Sequence, residues 1–419
     1  MINIAVLGYG TVGSGVVEVC SMNKESINKK LGDKIFIKKI LDVRDFPDEP
    51  LTDRFTKNPD EVFLDPEISV VVETIGGIGI AYEYTKRALE AGKSVVTSNK
   101  ELVATYGPEL LAIAYSKKLS YLFEASVGGG IPIIRPLNKC LSANQVESIY
   151  GILNGTTNYI LTRMKNEKIS FETALREAQI HGYAEKIPTA DIEGHDTCRK
   201  IAILASVASG EFIDYNQIYT EGISCVTDRD IVYADSLNNK IKLIAMAKKD
   251  RGNMIELRVA PAFIPVESPL AIADDVFNAI LIEGNALGPA MFYGKGAGKM
   301  ATASAVLADV IEAILHTHLT PHKVLWEQTN TIRVKKHENC AVKAFIRLLE
   351  GAESKDLLEK IKSCTDVTIL PKQFEDEFAF LAGKTIPITE GALSDILEAF
   401  KRQEDPSKKS SFLSMIRLL

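Results

Sequence analysis

Ile2-Asn3-Ile4-Ala5-Val6-Leu7-Gly8-Tyr9-Gly10-Thr11-Val12-Gly13 opens as a short apolar run, passes through three glycines, and leads into a helical pattern over residues 14–22. Glycines at this spacing also occur in ordinary turns. Here they stand between a buried strand and a helix, inside a span of βαβ size, and that context reads as a dinucleotide-binding turn. Gly8 permits the tight turn, Gly10 lets the backbone approach a pyrophosphate, and Gly13 lets helix and strand pack closely. The N-terminus of the helix then offers unpaired N–H groups to the phosphates.

Downstream, the same alternation continues. Apolar strands are predicted at 35–41, 69–74, 94–97 and 120–123, with helices at 82–91 and 109–118. Alternating strands and helices imply an α/β unit of the Rossmann type, a doubly wound parallel sheet, over residues 1–140. From 141 to 294 the pattern turns to α+β. A strand at 146–153 precedes helices at 158–166, 171–181 and 194–209, then antiparallel pairs 240–247 with 255–261 and 278–283 with 290–293. A small-residue helix at 301–316, following Gly294-Lys295-Gly296-Ala297-Gly298, suits packing back on the first unit, so residues 295–320 complete it. Residues 328–419 read as a third unit with strands at 342–349, 367–370, 377–381 and 412–418 and helices at 354–363 and 390–402. That βαββαβ order is ferredoxin-like. Residues 404–411 read as a charged, flexible loop.

Composition narrows the function. The chain has 419 residues, 46% hydrophobic and 25% charged, which suits two or three globular domains. A net charge of -6 argues against a nucleic-acid backbone as partner. Cys20, Cys140, Cys198, Cys225, Cys340 and Cys364 form no CxxC pair and read as free thiols of a reducing compartment. No basic leader and no apolar run of about 20 residues is visible, so the expected location is the cytoplasm, with no membrane span.

Two stretches carry chemistry. Leu41-Asp42-Val43-Arg44-Asp45 ends the second strand, where an acid would accept from a ribose 2′-OH and an arginine would pair with a 2′-phosphate. Both types are present. Arg44, assisted by Lys57, favours NADP and leaves NAD open. Thr97-Ser98-Asn99-Lys100 follows another strand at the ligand edge of the sheet, where a lysine reaches a nicotinamide or its substrate. The most informative segment is Gly182-Tyr183-Ala184-Glu185-Lys186-Ile187-Pro188-Thr189-Ala190-Asp191-Ile192-Glu193-Gly194-His195-Asp196-Thr197-Cys198-Arg199-Lys200. Asp196 and Lys200 share one helix face, and Glu185 and Asp191 lie on the preceding loop. Carboxylates suit the ammonium group of an amino-acid substrate, and a lysine of lowered pKa can move a hydroxyl proton. By spacing alone, an acid–lysine pair four apart is more often a surface pair.

These motifs occur together with Glu124-Ala125-Ser126-Val127-Gly128-Gly129-Gly130-Ile131-Pro132, Asn154-Gly155-Thr156-Thr157-Asn158-Tyr159-Ile160, and Gly296-Ala297-Gly298 followed by Thr302-Ala303-Ser304-Ala305-Val306. In that order, over residues 1–320, the chain resembles homoserine dehydrogenases. The resemblance implies NAD(P)-linked interconversion of L-homoserine and L-aspartate 4-semialdehyde, on the route to threonine, methionine and isoleucine. It implies Lys200 as the acid/base group, with Lys100 and Asp196 beside the reacting centre. Glu185 and Asp196 would hold homoserine, in a pocket with Thr156, Gly182, Tyr183 and Asp191. Thr11, Val12, Ser98, Lys100, Gly182 and Gly298 would touch the cofactor. A monovalent cation, sodium, would be held by oxygens of Glu124, Val127, Gly129 and Ile131, and the protein would be a homodimer or higher homo-oligomer. The chain departs from the family at Ile187, usually acidic, and at Ala301, usually proline. The third unit resembles ACT regulatory domains by element order. Their ligand loop is not visible at Glu350-Gly351-Ala352-Glu353, which leaves a structural or dimerising role open beside effector binding.

Two other classes compete. A cysteine-dependent semialdehyde dehydrogenase needs a reactive thiol at a helix N-terminus, whereas Cys140 and Cys198 read as packing residues. A dinucleotide-sensing regulator would have no need of Lys100, Glu185, Asp196 and Lys200 together. His316, His318 and His322 read as a helix terminus without a carboxylate or cysteine at ligand spacing.

Overall fold

The computed structural model describes residues 1–250, 254–316, 326–328, 333–403 and 410–419. His318, His322 and residues 404–409 of the expected loop lie outside the described residues.

The opening strand, β1 (Ile2–Leu7), is buried on both faces. Ala5 and Leu7 point into one apolar layer, and Ile4 and Val6 into another. A strand covered on both sides belongs inside a parallel sheet. Around it lie β2 (Ile35–Leu41), β3 (Phe55–Thr56), β4 (Ile68–Glu73), β5 (Ser94–Thr97) and β6 (Tyr121–Leu122). All pair in parallel, in the order β3-β2-β1-β4-β5-β6, a six-stranded sheet among the described residues. This is the Rossmann order, whose winding reverses between β1 and β4, and ligands gather at the carboxyl ends of the strands there. The two-residue strand β3 carries too short a pattern to be read from sequence.

The first helix runs Thr11–Met22, starting at the glycine turn rather than at residue 14. The helix Lys100–Ser116 starts nine residues before the expected position. Asn99 caps it, its side chain accepting from the backbone N–H of Leu102 at 3.1 Å. Pro108 and Gly107 had hidden this helix, since each opposes helix in isolation. The close packing of Trp326 requires the glycine, because a Cβ at Gly107 would come within 2.7 Å of the Trp326 ring. The helix Lys299–Leu315 lies on the helix Thr11–Met22, burying Ala303, Val306 and Val310 against Val16 and Val19.

Most of the remaining strands build a mixed, eleven-stranded sheet among the described residues, beside a two-stranded pair of Ala341–Val342 with Ile388–Thr389. β7 (Val146–Ile152) lies between the strands Phe277–Gly284 and Asn239–Asp250, and the latter pairs along its length with Met254–Pro265. Strands Ala344–Leu349, Val367–Ile369, Glu377–Ala382 and Phe412–Leu418, with helices Ala352–Lys362 and Glu390–Gln403, form the βαββαβ unit. Its strand order is fourth, first, third, second, all antiparallel. The unit is not free-standing. Its last strand pairs in parallel with Met254–Pro265, through Ala262 with Arg417 and Phe263 with Leu418, so the sheet runs on from one unit into the next. No described helix is long and apolar enough to cross a membrane.

Candidate active site

The glycine turn fits the dinucleotide role at the level of atoms. Gly8 takes φ +89°, and a Cβ there would press within 3.0 Å of the Thr74 carbonyl. A Cβ at Gly13 would fall 1.9 Å from the Gly8 carbonyl, so helix and turn meet only if that residue is glycine. Gly10 caps the helix with no side-chain bond, leaving the first N–H groups, those of Thr11 and Val12 among them, open toward the ligand edge.

At the end of β2, Asp42 accepts from the backbone N–H of Tyr9 at 2.7 Å. Arg44 grips the same carboxylate with two side-chain bonds, Nε at 3.0 Å and a terminal nitrogen at 2.9 Å. Those bonds, with further N–H donors, hold Asp42 at about 2 against the opposing effect of burial. The sequence left Asp42 and Arg44 as competing signals. The fold makes them one unit, a neutralised carboxylate with an exposed guanidinium. Lys57 pairs instead with Asp45, at 2.8 Å and in solvent.

The loops at the carboxyl ends of β4 and β5 are tied by a buried carboxylate that the sequence reading missed. Glu73 accepts from Thr97 Oγ1 at 2.5 Å and from the backbone N–H of Ile75 at 2.7 Å. Thr97 in turn accepts from the backbone N–H of Asn99 at 2.9 Å, which leads past the half-buried Ser98 to Lys100.

Lys100 crosses from this edge to the second unit. Its Nζ lies 2.8 Å from Asp196 Oδ1, and Lys200 Nζ lies 2.7 Å from Asp196 Oδ2. Asp196 is 3% exposed, so the pair four apart on the helix His195–Ser209 is no surface pair. Burial would raise the Asp196 carboxyl, but the charges of Lys200 and Lys100 outweigh it and hold it well below the usual range. Burial likewise disfavours the Lys100 ammonium, and the Asp196 carboxylate more than compensates, so Lys100 sits above its ordinary value. Asp191 is pushed up, first by burial and then by the Asp196 charge.

Other expected residues form no hydrogen bond or ion pair with the side chains of Lys100, Asp196 or Lys200 among the described residues. Thr156 donates to the Tyr183 carbonyl at 2.7 Å, and Gly182 takes φ +72° at the end of the preceding helix. Glu185 is exposed, its backbone carbonyl accepting from Gln179 at 3.1 Å. Gly298 caps the helix Lys299–Leu315 with φ +116°.

The Glu124 carboxylate accepts from the backbone N–H groups of Ile133 (2.5 Å), Ile134 (2.7 Å) and Arg135 (2.8 Å). Gly128 and Gly129 both adopt left-handed backbone, which turns the loop 127–131 back on itself. Asp309 accepts from the backbone N–H of Glu124 at 2.7 Å; its burial and the Glu124 charge push it up to about 7.

Cys198 is buried, its thiol pushed up by that burial, which does not suit a nucleophile. Cys140 is exposed rather than packed, at the end of Pro136–Cys140. The sequence reading gave His316 no carboxylate, yet Glu312 lies 3.4 Å away, one turn earlier. Among the described residues no cluster of three or more metal-ligating side chains occurs.

Two family models match the chain. One described as "Homoserine dehydrogenase, NAD binding domain" matches residues 8–124, and one described as "Homoserine dehydrogenase" matches residues 132–311. The homoserine dehydrogenase of Bacillus subtilis (strain 168) is 38% identical over 413 residues, which is 95% of this chain and 94% of that protein. A homoserine dehydrogenase crystal structure from Thiobacillus denitrificans superposes with a TM-score of 0.90 at 36% identity, over 100% of this chain and 98% of its own. A hyperthermophilic archaeal homoserine dehydrogenase in complex with NADPH superposes with a TM-score of 0.64 at 29% identity, over 75% of this chain and 98% of its own.

Proposed function

The chain belongs to the homoserine dehydrogenase family, and from that premise we propose how its own residues share the work. As a member it is an NAD(P)-dependent oxidoreductase acting on a CH–OH group, interconverting L-homoserine and L-aspartate 4-semialdehyde. The observation that carries the division of labour is the single buried carboxylate, Asp196, clasped between Lys100 and Lys200.

Lys200 takes the hydroxyl proton as homoserine is oxidised and returns it in the reverse direction. As the neutral amine it keeps two N–H bonds, directed at Asp196 Oδ2 and, at 2.7 Å, at the Leu153 carbonyl, and turns its lone pair to the substrate hydroxyl; once it holds that proton, the third N–H is the one it returns in the reverse direction. Asp196 fixes that geometry. Lys100, kept charged by Asp196, faces the oxygen that gains electron density. When bound, the nicotinamide exchanges a hydride with the carbon that bears this oxygen. Glu185 and Asp191 receive the substrate ammonium, with Thr156, Gly182 and Tyr183 shaping the pocket. Support for this part is their grouping on the segments that flank Asp196.

The cofactor is read as NADP. Support comes from the exposed Arg44 guanidinium, already oriented by Asp42. Thr11, Val12, Ser98, Gly182 and Gly298 would line the rest of the dinucleotide path. A monovalent cation, sodium, is read at the backbone oxygens of Glu124, Val127, Gly129 and Ile131, supported by the doubled left-handed turn at Gly128 and Gly129. A homodimer or higher homo-oligomer is supported by the eight-residue edge strand Gly288–Lys295, which exposes Tyr293. The cytoplasm remains the proposed location, on the free thiols. The C-terminal unit is read as ACT-like by its strand order. The experiment that tests the central reading is reduction of NADP or NAD in the presence of L-homoserine, followed by absorbance. No reduction with either cofactor would remove it.

A further inference from the structure

Asn154 has no part in the roles assigned above, yet each polar atom of its side chain is committed. It is 5% exposed and sits between β7 and the helix Gly155–Glu167. Its Oδ1 caps that helix, accepting from the backbone N–H of Thr157 at 2.9 Å. Its Nδ2 donates to Asp191 Oδ1 at 2.7 Å and to Asp196 Oδ2 at 2.9 Å. An amide nitrogen can only donate and a carboxylate can only accept, so this orientation alone satisfies all partners. The residue before it, Leu153, accepts from Lys200. One backbone step, delivered by β7, therefore holds both members of the Asp196–Lys200 pair.

We propose that Asn154 is a positioning residue for proton transfer, bridging Asp191 to Asp196 from the cap of the helix Gly155–Glu167 so that Asp196 stays aligned with Lys200. Asp196 Oδ2 is the oxygen that faces Lys200, and it is also the one the amide holds. Without that bond the carboxylate could turn about its terminal torsion, which is broad. The amide also separates two carboxylates that would otherwise repel. The charged groups facing this pair are Lys100 with its neighbour Glu101, from the helix Lys100–Ser116, and Asp191, from the turn Thr189–Ile192.

The inference rests on Lys200 being the proton carrier, and its test separates the two. Wild-type protein is profiled for kcat against pH with L-homoserine and whichever of NADP and NAD it reduces; absence of turnover with both would remove the reading of the function itself. Asn154→Asp keeps an oxygen for the helix cap but replaces the bridging donor with a third carboxylate facing Lys200. We expect kcat to fall at least about tenfold and the rising limb of the profile to move to higher pH, because added negative charge favours the protonated lysine. A limb that stays in place, whatever the size of kcat, overturns the inference, since position 154 would then not be coupled to the group that carries the proton. If that variant does not fold or is too slow to profile, Asn154→Ser decides, as it retains a cap oxygen and adds no charge. A kcat lowered at least about tenfold with an unchanged KM for that cofactor supports the positioning role, and any other result overturns it.

Discussion

Lys200 is the side chain proposed to carry the proton, and among the described residues it is held by Asp196 and the Leu153 carbonyl. Replacing it with alanine should lower turnover by at least about a hundredfold, the lower range for a general acid–base group, while NADP still binds. Kinetics beside a fluorescence titration of cofactor checks this, and retained turnover would assign the proton to another group. Arg44 invites a sharper expectation than its charge alone suggested. It now grips Asp42, so Arg44→Ala both removes a phosphate partner and releases a carboxylate. Asp42 should then climb from about 2 toward the ordinary range and accept from a ribose hydroxyl. KM for NADP should rise roughly ten- to a hundredfold, the scale of a charge-assisted hydrogen bond, with NAD unchanged or improved. Equal weakening of both would leave Arg44 without a role in the choice. Spacing along one helix put Asp196 and Lys200 on a common face, but that spacing alone describes a surface pair more often, and it was the resemblance over residues 1–320 that singled them out. Lys100, read as standing at the ligand edge, meets Asp196 only through a crossing of distant segments, and the lone motif position of Asn154 gave no sign that it joins two carboxylates. Such meetings are tertiary and leave no local pattern.

Among the elements, strands and helices with clean apolar periods were readable to within a residue or two, as β1, β2 and β5 show. Those where packing overrides propensity were not, the start of the helix Lys100–Ser116 being the clearest case. Least legible was the joining of the sheets, for which the strand Phe412–Leu418 supplies the link. Its Arg417 is buried, with Nε 2.7 Å from Glu390 Oε1, while Arg258 on the strand Met254–Pro265 reaches the same oxygen at 2.8 Å. His337 also faces Glu390, at 3.4 Å, and stacks on Tyr219. Burial would raise Glu390, but bonds from His337 and Arg417 and the two arginine charges hold it at about 2. A carboxylate depressed in the folded state contributes stability that is complete above its unfolded value, about 4.3, and is lost as pH falls through the folded one. Glu390→Gln should therefore cost about 3–5 kcal/mol at neutral pH, since it leaves buried guanidinium charge uncompensated. Urea unfolding at pH 7 and at stepwise lower pH would show it. The deficit should narrow between about pH 4.5 and pH 2, and a deficit constant across that window would mean that the ion pairs are not its source.

For the molecule as a whole, the residues proposed for catalysis and those that hold its units together are divided along the chain. Lys100, Asp196 and Lys200 all precede the C-terminal unit, so protein truncated after Glu327 should still turn over. It should also be less stable than the sequence alone implied. Removal would strip Arg347 from Asp230, a pair at 2.9 Å in which Asp230 is fully buried, and would bare the edge of Met254–Pro265. A lower melting midpoint with concentration-dependent light scattering is expected, beside measurable turnover at low temperature. A monodisperse, NADP-binding truncation without turnover would instead show that the C-terminal unit orders the active site. The position of Phe412–Leu418 has one more consequence, for the birth of the protein on the ribosome. This strand is made last of those described, yet it belongs in the middle of the great sheet, between Met254–Pro265 and Ala344–Leu349. Until it emerges, two partly assembled halves present raw strand edges to each other and to neighbouring polypeptides. The Rossmann unit can settle early, whereas the sheet must wait for its keystone, so crowding, translation speed and chaperone supply should govern yield through this one late-arriving segment.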